Sequence, residues 1–185
     1  MAMVAGGDRD AYNIIVRRHV DPLYNYALRL CRVSGDAEDL VQETLLKAWS
    51  SASSFNPRKA KLTTWLHRIL RNRFIDTTRK GSIQVAEEVR FDDVTDGFSE
   101  DSADVAEAGA ILDQFIGRLP ESQRSALLLS HAQGFSNQQI AHILGVSVRA
   151  TESLLARARG NLRDAFATLD KESTQLADTS GSKKT

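Results

Sequence analysis

The segment GFSNQQIAHILGVSVRATESLLARARGNLR (Gly134–Arg163) restricts this chain more than any other stretch. Ser136 or Asn137 can cap a first helix, because a short polar side chain accepts from free N–H groups of the opening turn. Ile140, Ile143 and Leu144 recur at i, i+3, i+4 and give that helix one apolar stripe. Gly145 tolerates positive φ and so provides an exit from the helix. Ser147 can cap a second helix, whose apolar positions include Leu154, Leu155, Ala158 and Leu162. Helix, short glycine turn, helix is the layout of a helix-turn-helix, whose second helix enters the major groove. A plain pair of packed helices would show the same spacing. Arginine weights the choice toward DNA: Arg149, Arg157, Arg159 and Arg163 lie on or beside the second helix, opposed there by Glu152 and Asp164 alone. The cap at Ser147 also leaves Val148–Ser153 as the N-terminal turns that meet base edges.

Net charge is zero, but its distribution is uneven. Residues 1–80 carry 14 Lys/Arg against 8 Asp/Glu, whereas residues 81–107 carry Arg90 against 9 acids. Two basic blocks flank an acidic strip, a pattern more informative than the total. The strip lacks a sustained helical period and reads as a flexible linker. It spans at most about 90 Å, or roughly 25 base pairs.

Four amphipathic segments precede the linker. One runs from Asp8 to about His19 with Ala11, Ile14 and Ile15 on its apolar side. Asp21-Pro22 opens the next, with Pro at a tolerated first-turn position. Asp36 can cap a third, with Asp39 at N3, and Leu40, Val41, Leu45, Ala48 and Trp49 line its inner face. The fourth runs from about Ala60 to Arg79 with Leu62, Trp65, Leu66, Ile69, Leu70 and Phe74 apolar. After the linker come a helix from Ala108 to Arg118, another from Glu121 to about Gln133, and the helix-turn-helix. The expected fold is all-α: two small helical domains, 8–80 and 108–166, joined by the 81–107 linker, with 167–185 a disordered tail. No signal peptide or membrane-length apolar run is visible, so the expected location is the cytoplasm. Cys31 is the lone cysteine, and a buried thiol suits its neighbours Leu28, Leu30 and Val33 better than a nucleophile. His19, His67, His131 and His142 are scattered, and no phosphate loop or catalytic triad can be placed. Neither an enzyme, a metal site nor a cofactor is expected, and no small-molecule substrate.

No acid stands between Glu43 and Asp76, a window holding Lys47, Arg58, Lys59, Lys61, Arg68, Arg71 and Arg73. A solvated basic face would account for this. The admixture of Trp65, Thr63, Thr64, Asn72 and Phe74 weights the choice toward unpaired bases, since cations track phosphates while aromatic and amide groups stack on or bond to bases. Trp65, with Leu62, Leu66 and Ile69 around it, suits the core better than a stacking platform, and Asn72 and Arg71 are the better candidates for an exposed role.

Four ordered segments now resemble a known family: DAEDLVQETLLKAW (Asp36–Trp49), TTWLHRILRNRFID (Thr63–Asp76), LPESQRSALLL (Leu119–Leu129) and the helix-turn-helix. The chain is similar to bacterial sigma factors of the extracytoplasmic-function type from about Ala11 to Arg163. The resemblance implies a two-domain σ2–σ4 protein that directs core RNA polymerase to promoter DNA, with an anti-sigma factor as a further partner. It assigns Asp39, Gln42, Glu43 and Leu46 to the polymerase clamp. It assigns Trp65, Leu66, Ile69 and Asn72 to the −10 element and a flipped base, with Lys59, Lys61, Arg68, Arg71 and Arg73 on nearby phosphates. Ser147, Val148, Arg149, Thr151, Glu152, Ser153, Arg157 and Arg159 fall to the −35 element. Where the family commonly carries G-T-V-K-S-R-L, this chain has Arg149–Leu155, RATESLL; Glu152 can accept from cytosine N4 and Arg149 can meet guanine or phosphate. A stand-alone helix-turn-helix regulator is the alternative, and an adaptor without DNA contacts is a third.

Overall fold

A computed structural model describes residues 1–81 and 103–181. Most of the acidic strip therefore lies outside the described residues, which hold helices and no strand. A one-turn helix, α1 (Ala2–Ala5), leads into α2 (Arg9–Cys31), α3 (Ser34–Ser50), a 3-10 turn (Ala52–Ser54) and α4 (Leu62–Arg79). The second group is α5 (Ala103–Arg118), α6 (Glu121–His131), α7 (Asn137–Leu144) and α8 (Val148–Gly181).

The break expected near Pro22 does not occur. Asp8 caps α2 through its carboxylate, which accepts from the Ala11 N–H at 2.8 Å, and the helix then runs through Pro22 to Cys31. An interior proline costs about 3 kcal/mol. The stripe of Ile15, Leu23, Tyr26, Ala27 and Leu30 crosses it without changing face, and all five are buried. Ile15, Leu23 and Leu30 each contribute about 1.5–3 kcal/mol on burial and together outweigh one interior proline. Ile14, expected with them, points out and is exposed. Helix α2 ends on Arg32, which adopts φ 66 in the left-handed region although it is not glycine. Helix α3 starts at Ser34 without a side-chain cap. Asp36 lies inside its first turn, where a carboxylate favours the helix dipole, rather than at the cap.

Helices α2, α3 and α4 enclose one apolar centre of Leu23, Leu30, Leu40, Leu66, Leu70 and Phe74. In the second group Ser136 and Gln139 form a reciprocal capping box at the start of α7, with bonds of 3.4 and 2.9 Å. Gly145 at φ 69 makes the turn, and the Ser147 hydroxyl accepts from the Ala150 N–H at 3.1 Å to begin α8. The helix-turn-helix thus forms as the sequence indicates.

Helix α8 is longer than expected. The tail assigned as disordered from 167 continues as helix to Gly181. Its polar composition obscures a run of good helix formers in which no Gly or Pro occurs between Gly160 and Gly181. Just before this extension, Phe166 ties α8 to α5, its ring 4.9 Å from that of Phe115. The two helical groups do not stand apart: one continuous core carries Phe74 and Leu66 of the first together with Leu129, Ile140 and Ile143 of the second.

Candidate nucleic-acid interface

On α3, Asp39, Gln42, Glu43 and Leu46 follow at i, i+3, i+4, i+7 and share one outer face. All four are exposed, Leu46 by 60%. The opposite face buries Leu40, Val41, Leu45 and Ala48, and the Thr44 hydroxyl is satisfied by the Leu40 carbonyl at 2.7 Å. The face thus holds an exposed leucine between acids and an amide, on a helix packed from behind. Arg73 Nη1 lies 3.8 Å from the Glu43 carboxylate, so one cation of α4 leans toward this acidic face.

Helix α4 divides the basic candidates. At about 100° per residue, Lys61, Trp65, Arg68 and Asn72 fall on one side. Lys61, Arg68 and Asn72 are exposed there, and Lys59 is exposed just ahead of them. Trp65 is half-buried, its ring 5.3 Å from Phe55, which braces it at the edge of the face. A neighbouring loop residue, Arg58, is equally exposed, and its N–H donates to the Asn56 side chain at 2.9 Å. Arg71 differs from the others. It is turned about 100° from Asn72, and its side chain is only 13% exposed. Nη2 donates to the Glu121 carboxylate at 3.3 Å and Nη1 to the Leu144 carbonyl at 3.2 Å. In this conformation Arg71 is not a phosphate ligand; it holds the second helical group.

The N-terminal turns of α8 expose Ser147, Val148, Arg149, Glu152 and Ser153, and Arg157 and Arg159 continue the surface. Thr151 does not belong to it. The residue is fully buried, and its hydroxyl donates to the Ser147 carbonyl at 3.3 Å, so it packs the helix instead of meeting a base. Val146 was missed in the sequence: it is 40% exposed beside Val148 at 38%, and two bare valines flanking Ser147 offer contacts for thymine methyls. The available signal was the pair of β-branched apolar residues in a turn that is otherwise polar.

His67 sits between the two groups. Its Nδ1 is 2.8 Å from the Thr63 carbonyl, and its ring stands edge-on to Phe135 at 4.8 Å and tilted to Tyr26 at 5.5 Å. Burial pushes its pKa down from the usual 6.5 to about 4. The unfolded chain therefore takes up this proton first, and stability present above pH 6.5 is lost as pH falls toward 4. A shift of this size is worth on the order of 3 kcal/mol. Urea unfolding at pH 7, 5.5 and 4.5 should show that His67→Phe removes a loss of this order; parallel curves for the two proteins would contradict the buried neutral imidazole. The Cys31 thiol is likewise driven up to about 12 by burial, which leaves it unreactive. Among the described residues no cluster of His, Cys, Asp or Glu could hold a metal ion, and no helix is long and apolar enough to cross a membrane.

Residues 15–82 match Sigma-70 region 2, and residues 109–162 match Sigma-70 region 4. The chain is 34% identical over 180 residues to the ECF RNA polymerase sigma factor SigE of Mycolicibacterium smegmatis, covering 94% of this chain and 69% of that protein. The chain belongs to the extracytoplasmic-function sigma factors. It is also 29% identical over 153 residues to SigM of Bacillus subtilis, covering 80% of this chain and 91% of that one. Among solved structures, CnrH in complex with the cytosolic domain of CnrY superposes with a TM-score of 0.68 at 26% identity, covering 90% of this chain and 94% of that one. RpoE of Bartonella quintana in complex with the anti-sigma factor NepR gives 0.67 at 28%, covering 85% and 97%. Sigma factors are transcription initiation factors without catalysis of their own. In this sigma factor, region 2 covers most of α2 together with α3 and α4, while region 4 ends at Leu162, so α8 from Arg163 to Gly181 lies beyond the matched segment.

Proposed function

We infer that this sigma factor binds core RNA polymerase through the outer face of α3, reads the −10 element with α4 and reads the −35 element with the start of α8. The observation that carries the reading is the outward face of Lys61, Trp65, Arg68 and Asn72. It sets cations, a braced aromatic ring and a free amide side by side, as unpaired bases on a phosphate chain require. Asn72 then holds a base extruded from the duplex, which offsets part of the few kcal/mol that flipping costs. The protein supplies recognition and melting, and the polymerase supplies the chemistry. It acts in the cytoplasm, and an anti-sigma factor belongs to the same reading, since the RpoE neighbour is bound to one.

Mixing the protein with bacterial core polymerase and a genomic-fragment pool, then sequencing transcript starts, tests this. Starts that share two upstream elements and require the protein are expected. Specific duplex binding without polymerase association or new transcripts would instead establish a stand-alone regulator. On a promoter found this way, Asn72→Ala should slow open-complex formation by about tenfold, the cost of a lost buried hydrogen bond, with polymerase affinity unchanged. Arg157→Ala should weaken −35 duplex binding and leave melting of a pre-opened −10 bubble intact. Normal opening by Asn72→Ala, read by permanganate footprinting, would remove the flipped-base role.

A further inference from the structure

We propose that Glu152 sets the base at one place in the −35 element: its carboxylate accepts from the N4 amino group of a cytosine and turns away guanine and thymine. The inference rests on the sigma-factor reading above and deepens it by naming a base that the start of α8 requires.

Packing of α8 decides which of its side chains are free to meet a base. Thr151, Leu155 and Ala158 are buried and mark the inner side of the helix. At about 100° per residue, Arg149, Ser153 and Arg157 project from the opposite side, and Glu152 lies on its flank between Val148 and Arg149. All five are exposed. Two other oxygen groups of these turns are already engaged. The Ser147 hydroxyl accepts from the Ala150 N–H, and the Thr151 hydroxyl donates inward to the Ser147 carbonyl. Glu152 is moreover the only acid from Gly134 to Arg163. Any base amino group that meets a charged acceptor on this surface meets Glu152.

Among the described residues nothing neutralises this carboxylate. Its neighbours one turn away are Val148, Arg149, Leu155 and Ala156, so Arg149 alone could answer its charge within the helix. Glu152 nevertheless makes no ion pair there, with Arg149 or with any other described cation. An unpaired acid is unfavourable between two rows of phosphates unless a donor on the DNA meets it. The base edges of the major groove differ sharply in this respect. Cytosine presents the N4 amino group as a donor. Adenine presents N6 as a donor, but beside N7, an acceptor that opposes the second carboxylate oxygen. Guanine and thymine offer a carboxylate only acceptors and a methyl group. An ionised carboxylate accepts and cannot donate, so cytosine is preferred, adenine follows, and the other two are excluded. Arg149 answers the opposite chemistry, with a forked guanidinium that suits guanine O6 and N7 or a phosphate.

Holoenzyme reconstituted from the full chain and bacterial core polymerase, transcribing a mapped promoter randomised across its −35 region, reads the preference base by base. Wild type should favour cytosine over guanine or thymine by about tenfold at one position, the size of one well-made base contact. Glu152→Gln should move that position alone to adenine, since an amide donates as well as accepts and matches N6 and N7. Glu152→Ala should flatten it, and Arg149→Ala should leave its preference for cytosine in place. Glu152 is exposed, so melting temperatures and helix content should match wild type, and a changed profile reports recognition rather than folding. A profile that Glu152→Gln does not alter, or one whose altered position carries no cytosine in wild type, would overturn the proposal and leave the sigma-factor reading intact. Absence of protein-dependent transcripts would remove that reading. Selection of randomised duplexes by the protein alone then reads the same cytosine-to-adenine shift, and its absence overturns the proposal.

Discussion

Replacing Leu46 by aspartate should weaken binding to core RNA polymerase by about a hundredfold, the loss expected when one well-placed apolar anchor of an interface is removed and a charge is put in its place. Leu46 is 60% exposed on a helix whose other face is fixed by Leu40, Val41, Leu45 and Ala48. Its removal therefore leaves the fold nearly unchanged, and the melting temperature should stay within experimental scatter. Titration of dye-labelled protein with core enzyme provides the measurement. An affinity within a factor of three of wild type would move the polymerase contact off this face.

Phe74→Ala is the opposite case. The ring is fully enclosed in α4, packs in the continuous core of both regions, and lies under the Arg124 guanidinium. Truncating such a ring loses its transfer free energy and leaves a cavity, together about 3–5 kcal/mol. The midpoint of urea unfolding should fall accordingly, with early exposure of region 4 because its cation loses a face to rest on. A loss below about 1 kcal/mol would mean that α4 does not occupy the centre of the molecule.

The two substitutions separate what local pattern makes legible from what it does not. The family resemblance assigns Leu46, and its exposure can be anticipated because Leu40, Val41, Leu45 and Ala48 already fill the inner face at helical spacing. Phe74 reads as apolar on the same grounds, yet its partner Arg124 is invisible, because nothing in sequence relates positions so far apart. The helix-turn-helix is legible for the same reason as Leu46: its capping box, Gly145 turn and apolar stripe are all signals spanning a few residues. The misreadings at Pro22 and from Ala167 onward come from weighing one local signal against another. Proline and polar composition argue for breaks, but the buried stripe through Leu23 and Tyr26 and the ring of Phe166 on Phe115 carry the helices on.

By itself the sequence determined the helical class, the character of the helix faces, the position of the helix-turn-helix and the family, because each follows from residues within a few turns of one another. The tertiary structure alone decided which candidates remain available. Arg71 and Asn72 are neighbours in sequence with equal claims on DNA, but Arg71 meets groups 50 and 73 residues away, Glu121 and Leu144. Thr151 has the composition of a base contact and is enclosed by its own domain. A guanidinium or hydroxyl goes to whichever acceptor the packed chain brings within about 3.5 Å, and that choice is made by the closure of helix on helix, which no local period records.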